Sequence, residues 1–442
     1  MGCIGNCQPS YHDLERNLKL RLSMYSSFPD KQLAALERLS AETESFLDGA
    51  SAFAELIRSR ISAEGDEISF RDYMDMALNH PEFGYYSRAA VRFDREGDFV
   101  TSPEIHPIYG GLWGRQIIQC WESMGKPELL NVVEIGGGSG AFISAVLSWI
   151  RASSADCFSC INLVVVDGSD MRLEQQKQKI EMTHSDILQQ IDFVLLDQWL
   201  VQTGSLKDAI LFCNEFFDAL PVHLIERDPE PSSSLHELFV TVDDNQNFQY
   251  TRQPLSNLEL IGHLDSLYET GLVTDPIPFP GTRIEINLEA CKVMSAISEI
   301  VENGYIFVSD YGYITEELYA SWRTTGTLMA FRKQNIEPDL FRLPGLTDIT
   351  AHVDFGSLVK ATKGAWHQQG LVSQAETMLG LGLYEMVNSG TAWARANPER
   401  FLILRQAAER LCDPSGLGRI RVLVLSKSSS KEDLMCLSKV LA

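Results

Sequence analysis

A short glycine-rich segment constrains the fold of this chain more than any other stretch. Residues 131–135 form an apolar run typical of a buried strand, and Gly136, Gly138 and Gly140 follow it directly. Residues 142–150 then continue with the apolar pattern of a helix. α/β proteins bind nucleotide-like ligands at such a strand–glycine–helix unit, because glycine lets the backbone turn sharply and approach the ligand. We therefore predict an α/β fold with a ligand at this turn.

The acid at position 134 helps to separate the possible ligands. Gly136 and Gly138 with Ala141 also satisfy a permissive dinucleotide fingerprint, in which the third glycine can be alanine. Glu134, however, would place a carboxylate beside the pyrophosphate of a dinucleotide, where like charges repel. S-adenosylmethionine has no phosphate and carries a sulfonium and an ammonium group, so an acid suits it. It is the favoured ligand, with a dinucleotide and a purely structural turn as alternatives.

A second acid closes the next apolar run. Residues 160–167 have the composition of the neighbouring parallel strand, and Asp167 ends it. An acid at this position accepts hydrogen bonds from ribose hydroxyls in both cofactor classes, so it supports a nucleoside ligand without identifying it. A solvated acid at a strand end is the alternative interpretation.

Strands and helices alternate along most of the chain. Apolar runs at 191–196, 209–215, 304–310 and 419–425 predict strands, with helical patterns between them. This alternation predicts a mostly parallel sheet with helices on both faces. Residues 224–285 differ, because alternating strand patterns there are mixed with prolines, and we interpret them as inserted hairpins and loops.

The patterns also suggest how the chain is organised. Residues 1–50 are expected to be an extension that is flexible or serves in targeting. Residues 51–130 should form a helical region with a loop that covers the cofactor. Residues 131–223 and 286–442 should form the core, which 224–285 interrupt.

Charge and composition exclude several classes of function. The 442 residues include 37 basic and 60 acidic ones, a formal net charge of −23. A nucleic-acid partner would need a basic surface for its phosphates, so none is expected. No apolar run approaches the roughly 18 residues that span a bilayer, so no membrane insertion is expected.

Among nine cysteines, Cys157 and Cys160 have C-x-x-C spacing but no second pair to complete a zinc site, so reduced thiols and no metal are predicted.

Polar residues follow the predicted strands. Ligands of a parallel sheet bind beyond the carboxyl ends of its strands, so the polar strand ends should lie along one rim. These are Glu134–Gly140, Asp167, Asn214–Asp218 and Asp310–Tyr311.

A polar loop over residues 97–104 precedes a predicted helix over 108–125. Its acids and hydroxyls lack a hydrophobic period, which is typical of a binding loop, although an ordinary surface loop is the alternative. The candidate residues in it are Asp98, Thr101, Ser102 and Glu104.

Several segments, taken in order, resemble the MidA-type S-adenosylmethionine-dependent methyltransferases. The segments are His80–Tyr86, Gly97–Glu104, Val133–Gly140, Asn214–His223, Asp310–Gly312, Gly326–Leu328 and Asp348–Phe355, within residues 52–427. The asparagine–glutamate segment and the segment from Asp348 are the most specific. Gly137, Ser139 and Tyr313 depart from the family, which has proline, arginine and histidine there.

The resemblance implies a Rossmann-like class I methyltransferase fold and S-adenosylmethionine as the cofactor. The eukaryotic member of the family methylates arginine during the assembly of mitochondrial complex I. The resemblance therefore implies protein arginine methylation, with a complex I subunit as the substrate and the mitochondrial matrix as the location. A bacterial source would imply the cytoplasm. An inactive assembly scaffold and a dinucleotide-dependent oxidoreductase are the alternatives, and the oligomeric state is not indicated.

An arginine acceptor determines which residues should do the chemistry. A guanidinium has a pKa of about 12.5 to 13.8, so carboxylates must hold it and accept its proton. The predicted catalytic residues are Glu215, Asp218 and Glu104, with a helix cap as the alternative role of Asp218. The predicted cofactor residues are Glu134, Gly136, Gly138, Gly140, Asp167, Asp98, Thr101, Ser102 and Asn214. The predicted walls of the substrate pocket are Tyr85, Tyr86, Phe217 and Asp310, with Phe216 beside Phe217.

Replacement of Gly138 by valine should abolish cofactor binding, because a β-branched side chain does not fit a turn that a ligand approaches closely. Isothermal titration calorimetry should show binding of S-adenosylmethionine, and not of NADH, to the unaltered chain. The Gly138→Val variant should bind neither. Binding of NADH alone would instead favour the dinucleotide alternative.

Overall fold

The computed structural model describes residues 49–87, 101–202, 204–228, 234–269, 275, 277, 279–332, 335–388, 396–428 and 432–438. The chain divides into two compact units, residues 1–55 and 56–442. Of the first unit only residues 49–55 are described, and they are helical. The predicted extension over 1–50 therefore lies almost wholly outside the described residues. All elements named below belong to the second unit.

Helical elements open the second unit. Residues 56–63 are helical, and Ser69 caps the next helix by accepting a hydrogen bond from the backbone N–H of Asp72 at 3.0 Å. Such a cap satisfies one of the N–H groups that the first helical turn leaves free. The elements before the main sheet are β1 (Ile68–Ser69), α1 (Phe70–Asn79), α2 (Ser102–Ile105) and α3 (Ile108–Ser123).

The first half of the core alternates strands and helices as predicted. Its elements are β2 (Leu130–Ile135), α4 (Ala141–Ser153), α5 (Ala155–Cys160), β3 (Ile161–Asp167), α6 (Asp170–His184), β4 (Ile191–Leu195), α7 (Leu196–Gln202) and β5 (Ala209–Asn214). The glycine segment lies between β2 and α4, so the predicted strand, turn and helix are confirmed.

A second, antiparallel sheet follows β5. Its strands are β6 (His223–Arg227), β7 (Leu235–Val242), β8 (Phe248–Pro254) and, after α8 (Leu258–Glu269), β9 (Arg283–Ile286). They pair in the order β1-β7-β6-β9, with β8 on β7. The helix α8 was not predicted. Its buried Leu260, Leu264 and Leu267 have helical spacing, but the neighbouring prolines favoured a loop interpretation.

The second half of the core returns to the main sheet. Its elements are α9 (Leu288–Ile300), β10 (Gly304–Asp310), β11 (Gly312–Tyr313), α10 (Thr315–Leu318), β12 (Met329–Arg332), β13 (Asn335–Ile336), β14 (Asp348–Thr350), β15 (Val353–Asp354), α11 (Phe355–Ala361), β16 (His367–Ser373), α12 (Gln374–Gly380), α13 (Leu383–Asn388), α14 (Pro398–Cys412) and β17 (Arg421–Ser426). The small sheet β13-β12-β14 was not predicted.

The main sheet has the strand order β16-β17-β10-β5-β2-β3-β4. The strands from β10 to β4 are parallel to one another, whereas β17 runs antiparallel to β10, and the edge strand β16 runs antiparallel to β17. The predicted mostly parallel sheet is confirmed. The carboxyl ends of β3, β2, β5 and β10 therefore lie along one rim.

Alternate residues of each central strand pack on opposite faces of the sheet. In β5, for example, Phe212 belongs to one apolar cluster and Cys213 to the other. Helices α3, α4, α6 and α14 cover the first face, and α7, α9 and α11 cover the second. The prediction of helices on both faces is therefore confirmed. None of the helices in the described ranges has the length and apolarity that a bilayer crossing requires.

Replacement of Phe212 by alanine should lower the free energy of unfolding by about 3–5 kcal/mol. The Phe212 side chain is 4% exposed, and its ring centroid lies 5.2, 5.2 and 5.0 Å from those of Trp113, Phe142 and Phe307. Urea denaturation followed by tryptophan fluorescence measures the change. The matched control is Leu402→Ala, since Leu402 is 55% exposed and should contribute less than about 0.5 kcal/mol. Equal losses in the two variants would contradict the assignment of this cluster to the core.

Candidate active site

A cavity of about 900 Å³ lies at the carboxyl ends of the central strands. Its volume is near the upper end of the range for ligand sites, roughly 300–1,000 Å³. Glu134 of β2, Asp167 of β3 and Asn214 of β5 line it, as does Tyr311 directly after β10. The cavity therefore lies on the rim where the polar strand ends were expected to meet.

The glycine turn forms one wall of the cavity. Gly136, Gly138 and Gly140 have φ values of 73°, 56° and 81°, in the left-handed region that favours glycine. A Cβ on Gly136 would lie 2.7 Å from the Cδ2 atom of Phe216, so a side chain there would displace the neighbouring turn. Gly136, Gly137 and Gly138 line the cavity. Gly140 does not, and instead precedes the first residue of α4.

Glu134 is buried at the edge of the cavity and is 3% exposed. Its Oε2 atom is buried without a hydrogen-bond partner among the residues that the structure describes. Burial, and then the negative charge of Asp167, raise the pKa of Glu134 to about 8. An ammonium or hydroxyl group of a ligand would satisfy this oxygen and favour the ionised form.

Asp167 is held by a side chain that also contacts the glycine turn. Gln176 donates one hydrogen bond to Asp167 Oδ2 at 2.8 Å and another to the carbonyl oxygen of Gly138 at 3.2 Å. Burial raises the pKa of Asp167 to about 6, although the Gln176 hydrogen bond acts in the opposite direction. The two predicted cofactor segments are thus fixed to each other through Gln176.

Arg172 is a cavity residue that the sequence analysis missed. It lies in the first turn of α6, is 2% exposed, and its Nε donates to the carbonyl oxygen of Tyr86 at 3.0 Å. Its positive charge opposes the effect of burial on the pKa of Asp167. The segment around Arg172 is mostly polar, as in a solvent-exposed helix. Only the proximity of Arg172 to Asp167 along the chain could have indicated its role.

The polar loop before α3 contributes to the cavity in part. Thr101 and Glu104 line it, and Glu104 Oε1 accepts a hydrogen bond from the hydroxyl of Ser139. Ser102 was predicted to contact the cofactor, but its side chain is fully buried and does not line the cavity. Its hydroxyl instead donates a hydrogen bond to Gln374 Oε1 at 2.8 Å, so this prediction is wrong. Asp98 lies outside the described residues.

Asn214 and Glu215 form the centre of the rim. Asn214 accepts a hydrogen bond from the hydroxyl of Tyr109 at 2.7 Å, and its amide donates to Glu215 Oε1 at 3.2 Å. The same Oε1 accepts from the backbone N–H of Ser102 at 3.2 Å. Nothing in the described ranges forms a hydrogen bond with the buried Glu215 Oε2. Burial raises the pKa of Glu215 to about 8, and the charges of Asp310 and Asp348 act in the same direction.

Asp218 faces the cavity beside Glu215. Burial raises its pKa well above the usual value, and the charges of Asp310, Glu215 and Asp348 add to this effect. No helix begins at Asp218, so the alternative role as a helix cap is wrong. Asp348 was not among the predicted site residues, yet it lines the cavity and accepts a hydrogen bond from the hydroxyl of Tyr86 at 2.9 Å.

Some of the residues predicted to wall the substrate pocket line the cavity, and others do not. Tyr85 and Tyr86 line the cavity, with their rings edge to face at 5.1 Å. Phe216, which was predicted beside Phe217, also lines the cavity, whereas Phe217 is fully buried in the core. Asp310 is also fully buried and lies behind the cavity, where Oδ2 accepts hydrogen bonds from backbone N–H groups. The predictions for Phe217 and Asp310 as pocket walls are therefore wrong.

The cavity combines a nucleoside-type site with a strongly acidic region. The glycine turn, Glu134 and Asp167 form the first part, and Glu215, Asp218 and Asp348 the second. Among the described lining residues, the carboxylates are Asp75, Glu104, Glu134, Asp167, Asp197, Glu215, Asp218, Glu289 and Asp348, and the arginines are Arg71, Arg172 and Arg419. Such a cavity favours cationic ligands. Within the described part of the chain, no group of histidine, cysteine and acidic residues has a metal-binding arrangement, and Cys157 and Cys160 are free thiols.

Known proteins resemble this chain over most of its length. It is 30% identical over 394 residues, 84% of this chain and 83% of the relative, to the protein arginine methyltransferase NDUFAF7 homolog, mitochondrial, of Drosophila melanogaster. It is 27% identical over 365 residues to protein arginine methyltransferase NDUFAF7, mitochondrial, of Xenopus tropicalis, covering 78% of this chain and 79% of that protein.

The fold and the family agree. The crystal structure of a superfamily member from Burkholderia thailandensis, bound to S-adenosyl-homocysteine, matches with a TM-score of 0.77 at 24% identity, over 89% of this chain and 96% of that chain. The profile of a family described as "Putative S-adenosyl-L-methionine-dependent methyltransferase" matches residues 112–372. The orphaned oxygen of Glu134 and the glycine turn fit this cofactor. The chain therefore belongs to this family of S-adenosyl-L-methionine-dependent methyltransferases and uses that cofactor.

Proposed function

We propose that this enzyme transfers a methyl group to an arginine side chain of a protein substrate. The observation that carries the proposal is the acidic region of Glu215, Asp218 and Asp348 beside the glycine turn. A guanidinium is a planar cation with several N–H donors, and carboxylates are its strongest partners. The names of the relatives from Drosophila melanogaster and Xenopus tropicalis support the same activity.

The cofactor part of the cavity binds and orients the methyl donor. Glu134 and Asp167 offer carboxylates to its ammonium and ribose hydroxyl groups, and the backbone of Gly136–Gly138 lets it lie close to β2. When bound, S-adenosylmethionine supplies an electrophilic methyl group on a sulfonium. The chain itself supplies position and electrostatics, which is most of what a displacement reaction needs.

The acidic part holds the acceptor and takes its proton. A guanidinium is a poor nucleophile, because its lone pairs are delocalised and it stays protonated at working pH. Glu215 and Asp218 bind its N–H groups, concentrate electron density on one nitrogen and accept the proton lost during transfer. The pKa of Glu215, about 8, lies close to the working pH, where a general base is most efficient. Binding of the cationic guanidinium favours the ionised form of Glu215, which accepts the proton. Glu104 acts as their partner, and Tyr85 and Tyr86 exclude water.

The physiological acceptor and location are part of the same proposal. The resemblance to the MidA-type family supports a subunit of respiratory complex I as the acceptor and the mitochondrial matrix as the location. The relatives that are named mitochondrial support the organelle.

Affinity for S-adenosylmethionine should rise with pH between about 6.5 and 8.5. The ligand favours ionised Glu134, whose pKa in the free protein is about 8, so each pH unit below this value should weaken binding by up to about tenfold. Calorimetry at several pH values measures the effect. In Glu134→Gln the Glu134-dependent rise should disappear. The amine of the ligand titrates in both proteins, so the difference between the curves isolates Glu134. Parallel curves would contradict its role.

Replacement of Glu215 by glutamine should lower methyl transfer by about 100-fold or more, because the neutral amide neither binds the guanidinium as an ion pair nor accepts its proton. Binding of S-adenosylmethionine should change by less than about threefold, since Glu215 is assigned to the acceptor. Transfer of tritium-labelled methyl groups to mitochondrial protein, followed by amino-acid analysis for methylarginine, measures the activity.

The matched control for Glu215→Gln is Glu237→Gln. Glu237 is also a buried glutamate, 5% exposed, but it pairs with His223 at 2.6 Å in the second sheet. Its replacement should leave transfer unchanged. Full activity of Glu215→Gln would refute the catalytic assignment, and labelling of residues other than arginine would refute the substrate class.

A further inference from the structure

Asp310, which lies behind the cavity, holds the turn after β5 through several backbone hydrogen bonds. Its Oδ2 accepts hydrogen bonds from three successive backbone N–H groups, those of Phe216, Phe217 and Asp218, at 3.1, 2.8 and 3.3 Å. Its Oδ1 accepts from the N–H of Tyr311 at 2.9 Å. Both carboxylate oxygens therefore face N–H donors, and the side chain is fully buried.

The turn that Asp310 holds begins with an unusual backbone conformation. Glu215 has a φ of 49°, in the left-handed region that is unfavourable for a residue with a side chain. The N–H of Glu215 donates to the carbonyl oxygen of Ser309 at 2.8 Å, so β10 contacts the turn through its backbone as well. A strained conformation of this kind persists only where the surrounding contacts impose it.

The same turn contacts the cofactor wall. Phe216 packs so closely on Gly136 that a single Cβ there would approach its ring to 2.7 Å. The residues from 215 to 218 thus connect the glycine turn, on one side, with the carboxyl groups of Glu215 and Asp218, on the other. A displacement of this turn would change the distance between donor and acceptor sites.

We propose that Asp310 is a positioning residue for methyl transfer, which fixes the left-handed turn at Glu215 and so sets the acceptor carboxylates against the cofactor site. The proposal rests on the proposed function. Asp310 does not line the cavity and needs no contact with either substrate. Its effect on catalysis passes through the backbone of residues 215–218.

A second effect of Asp310 gives the proposal an independent readout. Its negative charge raises the pKa of Glu215, together with burial and with Asp348 on β14, and it raises that of Asp218. Burial raises the pKa of Asp310 itself to about 7, so above that pH the loss of its charge should lower both pKa values. The acidic limb of the activity profile should move to lower pH, which the loss of a purely structural contact would not cause.

The test replaces Asp310 by asparagine. An asparagine can accept on one side only, because its NH₂ group would face either the N–H of Tyr311 or the three N–H groups of the turn. The matched control is Asp208→Asn at the opposite end of β5. Asp208 also has a φ of 49°, and it accepts a hydrogen bond from Asn303 at 2.7 Å, far from the cavity lining.

Three measurements on the 442-residue chain test the proposal. Calorimetry gives the affinity for S-adenosylmethionine, labelled methyl transfer to arginine-containing peptides gives turnover against pH, and crystal structures with S-adenosyl-homocysteine show the turn. In Asp310→Asn we expect affinity within about threefold, turnover lower by on the order of 100-fold, and a displaced turn. The acidic limb should move to lower pH. Asp208→Asn should match the unaltered chain in all three.

Each other outcome overturns the proposal. Unchanged turnover, or an unmoved turn at Glu215 in the crystal, would show that Asp310 does not position it. A variant that fails to fold, or that loses cofactor binding in parallel with activity, would assign Asp310 to the fold. If the unaltered chain labels no arginine, the proposed function fails instead, and the crystal structure still decides whether Asp310 holds the turn.

Discussion

The close packing of buried carboxyl groups is the constraint on which the cavity edge of this sheet depends. Burial raises the pKa values of Glu134, Glu215, Asp218 and Asp310, and nearby negative charges raise those of Glu134, Glu215 and Asp218 further. Such an arrangement costs stability unless cations occupy it. Among the described residues, backbone N–H groups and the cavity arginines Arg71, Arg172 and Arg419 offset part of this cost, and the ligands supply the rest. Both the sulfonium donor and a guanidinium acceptor supply the missing charge.

The strand order of the main sheet explains why the two ligand regions lie side by side. Parallel strands bring their carboxyl ends to one edge, and the strand order places β2 between β5 and β3. The donor region therefore spans β3 and β2, and the acceptor region spans β5 and β10. On the donor side, Gln176 connects Asp167 with the glycine turn through hydrogen bonds to both. On the acceptor side, Asp310 holds the turn that follows β5. Each region is fixed by a buried side chain that does not line the cavity.

The glycine turn, the sheet and the acids at strand ends could be predicted from the sequence, because each depends on local pattern. Tyr86 and Asp348 meet only in the folded chain, since 262 positions separate them, and no local signal indicates that contact. The error at Phe217 has a different cause. Glu215 has a positive φ, and in the turn that it begins Phe216 lines the cavity whereas Phe217 is buried in the core. Nothing in the composition of the segment predicts positive φ at a glutamate.

The left-handed residues at the two ends of β5 also bear on how this protein can change in evolution. Asp208 and Glu215 enclose a strand of six residues, and each is tied by hydrogen bonds to the ends of β10. An insertion or deletion of one residue between them would rotate one end to the opposite face of the sheet. The length of β5 is therefore constrained by the contacts at its two ends.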